Sequence, residues 1–216
     1  MKVFLAGSGD LGANVAEALI AAGHEISVVS PAPGRRLKDP LYKYASKMRI
    51  PMVSDYSAFT AGDVPDDTDL MLTVFSRWMV PMPAVEKCRY GGVGLHPSIL
   101  PKHRGSDAVY WTWKMREPVG GWTVYRLEQK CDTGAIVAQV PVALDQNAKS
   151  HVDVWNALVP YAPQLVVDAV DAVERGFYGV EQDELIATFE PNHKAQPVQR
   201  RGLIPLPPAG GSSYVG

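Results

Sequence analysis

The chain has 216 residues, 46% hydrophobic and 20% charged, which is enough length and apolar content for one sizeable core. Its formal net charge of −2 gives no electrostatic footprint for nucleic acid or an anionic membrane, and no apolar run approaches the roughly 20 residues that span a bilayer. Two cysteines are too few for a disulfide framework, and the N-terminus runs into a strand-like segment instead of a leader, so a reduced, cytoplasmic protein with a small-molecule substrate is expected, with oligomeric state unspecified.

Lys2-Val3-Phe4-Leu5-Ala6 is a compact apolar run ended by Gly7-Ser8-Gly9-Asp10-Leu11-Gly12. Leu11, Val15, Ala18, Leu19 and Ala22 then recur at helical spacing, Gly23 supplies a stop, and Glu25 to Ser30 predicts a second strand, completing a parallel βαβ unit. Asp39-Pro40 marks a helix start for Leu41 to Met48, and a third strand is expected at Pro51 to Ser54. Leu70 to Phe75 is nearly all apolar, as a strand buried on both faces should be. A loop at Ser76 to Val80, a helix over Pro81 to Cys88 and a strand over Gly92 to Leu95 follow.

Pro97 fixes φ and cannot continue a ladder, so His96 should end that strand at its C-terminal edge, where open α/β sheets place their sites. Ser106 to Met115 predicts a helix capped by Ser106, and Trp122 to Leu127 and Ala135 to Ala143 predict antiparallel strands around Asp132. Val152 to Val173 carries a helical apolar stripe that Pro160 and Pro163 should kink or split. The Pro- and Gly-rich residues from Arg200 onward read as an arm or tail.

Taken singly, the polar residues have bland readings. A histidine beside proline is commonly a structural hydrogen-bonder, Asp132-Thr133-Gly134 suits an Asx turn, and Cys131 reads as a buried inert thiol. His24, His103, His151 and His193 lack metal-ligand spacing, so no catalytic metal is expected. Gly7, Gly9 and Gly12 have the dinucleotide-binding spacing in the right context. Strand two, however, ends in Ser30-Pro31 without an acid for a ribose, leaving only Arg35 and Arg36 for a 2′-phosphate, so an NAD(P)-binding protein is the lesser reading.

Together, His96-Pro97-Ser98-Ile99-Leu100-Pro101-Lys102-His103-Arg104-Gly105, Trp111, Gly120-Gly121 and Asp132-Thr133-Gly134 resemble the signature of the 10-formyltetrahydrofolate-dependent formyltransferase superfamily over roughly residues 1–192. Around the motif the chain is also similar to the hydrolase domain of 10-formyltetrahydrofolate dehydrogenase. The resemblance implies an α/β, Rossmann-like formyltransferase fold with a twisted, largely parallel sheet and antiparallel edge strands. It also implies a catalytic domain over 1–192 with a tail over 193–216, and 10-formyltetrahydrofolate as formyl donor.

By the same resemblance His96 assists acyl transfer, Asp132 lies near it, and the loop Arg77-Trp78-Met79-Val80, with Cys131, faces the pterin. Ser98 and Arg104 are expected to support the motif or bind a ligand. Few residues follow the signature and they are not basic overall, so a tRNA substrate is not expected. The family's transferases usually carry asparagine two positions before the histidine, where this chain has Gly94. Residues i and i+2 of a strand share a face, so a side chain beside His96 is missing. Formyl transfer to an amine-type acceptor, with water supplying the lost hydrogen bond above Gly94, is one consequence. Hydrolysis to formate by that water, or folate binding without catalysis, are the others.

Overall fold

The apolar run after Lys2 forms β1 (Lys2–Gly7), whose residues alternate between two cores. Val3 and Leu5 join one cluster, Phe4 and Ala6 the other, as the period of two in a strand requires. The computed structural model describes residues 1–31, 38–53, 59–76 and 79–193. After β1 come α1 (Gly9–Ala21), β2 (Glu25–Pro31), α2 (Pro40–Met48), β3 (Leu70–Val74) and α3 (Met82–Glu86). They are followed by β4 (Gly92–His96), α4 (Ala108–Lys114), β5 (Val119–Arg126), β6 (Ile136–Ala143), α5 (His151–Leu158) and α6 (Ala162–Glu174).

One six-stranded sheet has the order β2-β1-β3-β4-β5-β6. The first four strands run parallel; β5 is antiparallel to β4, and β6 to β5. The largely parallel sheet with antiparallel strands at one edge is therefore present. All five residues of β3 and of β4 are buried, because each strand has a partner on both sides and helices or loops over both faces.

Asp39 caps α2 by accepting from the Leu41 and Tyr42 amides, with Pro40 in the first turn, as that dipeptide suggests. The prolines split the long apolar stripe into α5 and α6, joined by a 3₁₀ turn over Val159–Tyr161. Trp122 is fully buried between the sheet and these helices and donates its indole N–H to the Leu158 carbonyl at 2.7 Å.

Two expectations need correction. The segment at Pro51 to Ser54 forms no strand of the sheet; Met52 makes an isolated bridge to Val29, and Ser54 lies outside the described residues. The helix expected from Ser106 begins at Ala108 with Asp107 in the capping position and no side-chain cap bond, because the Asp107 carboxylate is taken by His193. The tail from residue 194 onward, and Arg35 and Arg36, lie outside the described residues.

Candidate active site

β4 ends at His96 because Pro97 follows, and the loop after it folds back over the strand. Thr123, opposite His96 on β5, holds that loop: its hydroxyl accepts from the Leu100 amide at 3.1 Å and donates to the Ser98 carbonyl at 2.7 Å. Gln139 of β6 adds a bond to the Leu100 carbonyl at 2.8 Å, and Ser98 Oγ donates to the Lys102 carbonyl at 2.6 Å. Ser98 thus supports the motif from within.

The result is that the His103 carbonyl lies 2.7 Å from His96 Nε2, with His103 itself in the left-handed region at φ +57. A carbonyl only accepts, so Nε2 carries the hydrogen and the neutral ring presents its lone pair at Nδ1. That nitrogen is 3.7 Å from Asp132 Oδ2. Burial holds the imidazole below its ordinary pKa, with Asp132 pulling the other way. In this arrangement the ring can accept a proton at Nδ1 beside a carboxylate able to stabilise the resulting cation.

Asp132 is nearly buried and sits at φ +59, a conformation aspartate tolerates better than most residues. Its Oδ2 accepts from the Gly105 amide at 2.7 Å and its Oδ1 from the Tyr125 hydroxyl at 2.7 Å. Gln182 donates to the Asp132 and Gly134 carbonyls, while Arg104 forks onto Gln182 and Glu184. Arg104 ties the motif to the C-terminal segment.

The space beside Gly94 is occupied. A Cβ there would come within 2.9 Å of Tyr125 Cε1 and 3.0 Å of both Leu127 Cδ2 and Thr73 Oγ1. No open volume for a water begins at that position. Tyr125, Thr123, Gln139 and Gln182 were not singled out by sequence reasoning; alternation along β5 would have put Thr123 and Tyr125 on one face, but nothing local marks Gln182.

The fold and the chain's relatives agree. Residues 2–170 match the formyl transferase family. The chain belongs to that family. A cytosolic 10-formyltetrahydrofolate dehydrogenase from Xenopus laevis is 28% identical over 207 residues, covering 91% of this chain and 23% of that protein. A methionyl-tRNA formyltransferase from Acidobacterium capsulatum is 27% identical over 209 residues, covering 88% of this chain and 65% of that protein. The chain thus spans about a quarter of one relative's length and about two thirds of the other's. Among solved structures, the N-formyltransferase from Helicobacter canadensis in complex with folinic acid and dTDP-3-aminofucose superposes with a TM-score of 0.72 at 17% identity, over 88% of this chain and 70% of that one. The phosphoribosylglycinamide formyltransferase from Anaplasma phagocytophilum gives a TM-score of 0.65 at 17% identity, over 81% of this chain and 86% of that one. Both share the fold.

In this formyl transferase family member the loop after β3 brings Met79 beside Cys131, their sulfurs 3.8 Å apart, with Val80 packed against the smaller core; Arg77 and Trp78 lie outside the described residues. Cys131 is exposed, not buried as expected, because its loop runs along the surface. Its thiol is nevertheless pushed up by partial burial and by Asp132, away from nucleophilic use.

The glycine turn serves packing. A Cβ at Gly7 would strike the Val74 carbonyl at 2.7 Å and one at Gly12 would press on Leu41 at 3.1 Å. The Gly9 amide, where a pyrophosphate would be held, donates to Asp39 Oδ2 at 3.0 Å. His24, Asp171 and Glu174 group at the opposite end of the sheet from His96, but the N-terminal ammonium already lies 3.2 Å from His24 Nδ1 and 3.5 Å from Glu174.

Proposed function

We propose that the chain transfers the formyl group of 10-formyltetrahydrofolate to an amine-type acceptor, with His96 as proton acceptor and Asp132 as its electrostatic partner. The observation that carries this reading is the single free imidazole lone pair, at Nδ1, aimed at a carboxylate 3.7 Å away at the C-terminal edge of the sheet. The acceptor amine attacks the formyl carbon, and its nitrogen sheds a proton to Nδ1. The tetrahedral oxyanion then collapses, the bond to the folate nitrogen breaks, and that nitrogen takes the proton from the imidazolium to leave tetrahydrofolate. The Asp132 carboxylate stabilises the imidazolium between the two transfers.

Met79, Val80 and Cys131, with the neighbouring Arg77 and Trp78, are the residues proposed to wall the flat pterin, within a catalytic domain spanning residues 1–192. A second reading, hydrolysis to formate, is supported by the match to the dehydrogenase over nine tenths of this chain and by the glycine at position 94, which deprives the oxyanion of a side-chain donor. In that case water is the nucleophile and gives its proton to the same Nδ1. The test is incubation with 10-formyltetrahydrofolate, with and without added amines, following tetrahydrofolate and formate. Tetrahydrofolate released only with an amine supports transfer; formate released without one supports hydrolysis; neither product removes both.

A further inference from the structure

We infer that Tyr125 stands in for the side chain missing at Gly94, as the positioning residue that aims the Asp132 carboxylate at His96; this rests on the His96 and Asp132 pair acting as proposed above. In the register of β4 and β5, Gly94 lies opposite Tyr125 and His96 opposite Thr123, so all four share one face. The Tyr125 ring lies across the glycine, with Cε1 2.9 Å from where a Cβ would be, and meets the His96 ring edge to face with centroids 6.4 Å apart. A larger residue at 94 and a tyrosine at 125 compete for the same space. Glycine at one strand is what admits the ring from the other.

The ring delivers a hydroxyl to Asp132. Oδ1 takes the Tyr125 O–H at 2.7 Å while Oδ2 takes the Gly105 N–H at 2.7 Å and faces His96 Nδ1. One donor on each oxygen fixes the plane of a carboxylate that is nearly buried. Without the hydroxyl, Oδ1 loses that bond in a place where solvent barely reaches, and the group is free to turn.

His96 is faced by Asp132 and Tyr125 from the β5 side, and by His103 and Glu190 from the following loop and the C-terminal segment. Tyr125→Phe alters only the first pair. It keeps the ring and should lower kcat about ten- to a hundredfold with a smaller change in KM. It should also move the His96 ring titration, followed by NMR on the folate-free protein, to lower pH, because a carboxylate free to turn pulls less on an imidazolium at Nδ1. A purely structural tyrosine would leave that titration in place, and an unmoved titration with unchanged kcat overturns the inference.

A double-mutant cycle with Gly94 tests the shared space. Gly94→Ala should reduce folding stability in the parent chain and cost markedly less in the Tyr125→Ala background; equal costs in both overturn the inference. If the parent chain turns over no 10-formyltetrahydrofolate, the catalytic reading fails, whereas the titration and the stability cycle still decide whether Tyr125 positions Asp132.

Discussion

The side-chain amide of Gln182 donates to the backbone carbonyl of Asp132 at 2.8 Å, across 50 positions of sequence. The same amide bonds the Gly134 carbonyl at 2.8 Å, and its oxygen accepts from Arg104 Nη2 at 2.8 Å. One buried glutamine thus joins the two halves of the signature, which meet only through tertiary structure.

Replacing that glutamine with alanine leaves buried carbonyls at Asp132 and Gly134 without their partner, a loss of about 1–3 kcal/mol in stability. The left-handed Asp132 backbone is then less well held, so kcat should fall more than the stability loss alone accounts for. Urea denaturation beside steady-state kinetics at a temperature where the variant is fully folded checks both parts.

His96→Ala and Asp132→Ala should each reduce tetrahydrofolate release by about 10²–10⁴-fold, the range that a positioned acid or base contributes. The double variant should be scarcely worse than either single, because the two residues act on one proton. Release at the parental rate in either single variant would remove the assignment.

The pH dependence follows from the direction in which His96 is displaced. Burial is the leading cause and lowers its pKa, so the neutral base persists to lower pH than in a free imidazole and the acid limb of kcat/KM should lie below about 6.5. Asp132 opposes that displacement, so Asp132→Asn removes the opposing pull and the His96 titration should move lower still. NMR titration of the ring in both proteins reads the two shifts, and an upward move in the asparagine variant would contradict this electrostatic picture.

Trp122 joins sheet and helices. With its ring fully buried and its N–H bonded to the Leu158 carbonyl, Trp122→Ala should cost about 3–5 kcal/mol, lowering the midpoint of chemical denaturation. Because Trp122 points away from the face that carries His96, the folded fraction should retain most of its turnover.

Much of this fold was legible from local pattern. The alternation in β1, the buried run of β3, the Asp39-Pro40 start of α2 and the proline break between α5 and α6 each arise from interactions within a few residues, so the sequence carries them openly. Residues 51–54 misled because a short apolar run reads as a strand whether or not a sheet edge has room for more than one bridge. Ser106 misled because capping preference says nothing about which neighbour is already bonded elsewhere.

That His96 and Asp132 come together was foreshadowed by the motif, since Pro97 stops β4 at His96 and the Asp132-Thr133-Gly134 turn places its carboxylate 3.7 Å from the ring. What surrounds them was not. The groups that orient the pair are a peptide carbonyl at His103, a peptide amide at Gly105, a tyrosine across the strand ladder and a glutamine from the C-terminal segment. Backbone groups are the same at every residue and carry no letter of their own. The empty place expected at Gly94 is filled by Tyr125 because strand register, a property of two chain segments together, decides which side chain lies over a glycine. Sequence alone therefore determined most of the strands, the C-terminal edge at which β4 stops, and the family motif that holds His96 and Asp132. Only the tertiary structure decided which imidazole nitrogen is free and what holds the carboxylate toward it, because hydrogen bonds between distant segments exist only once the chain has folded.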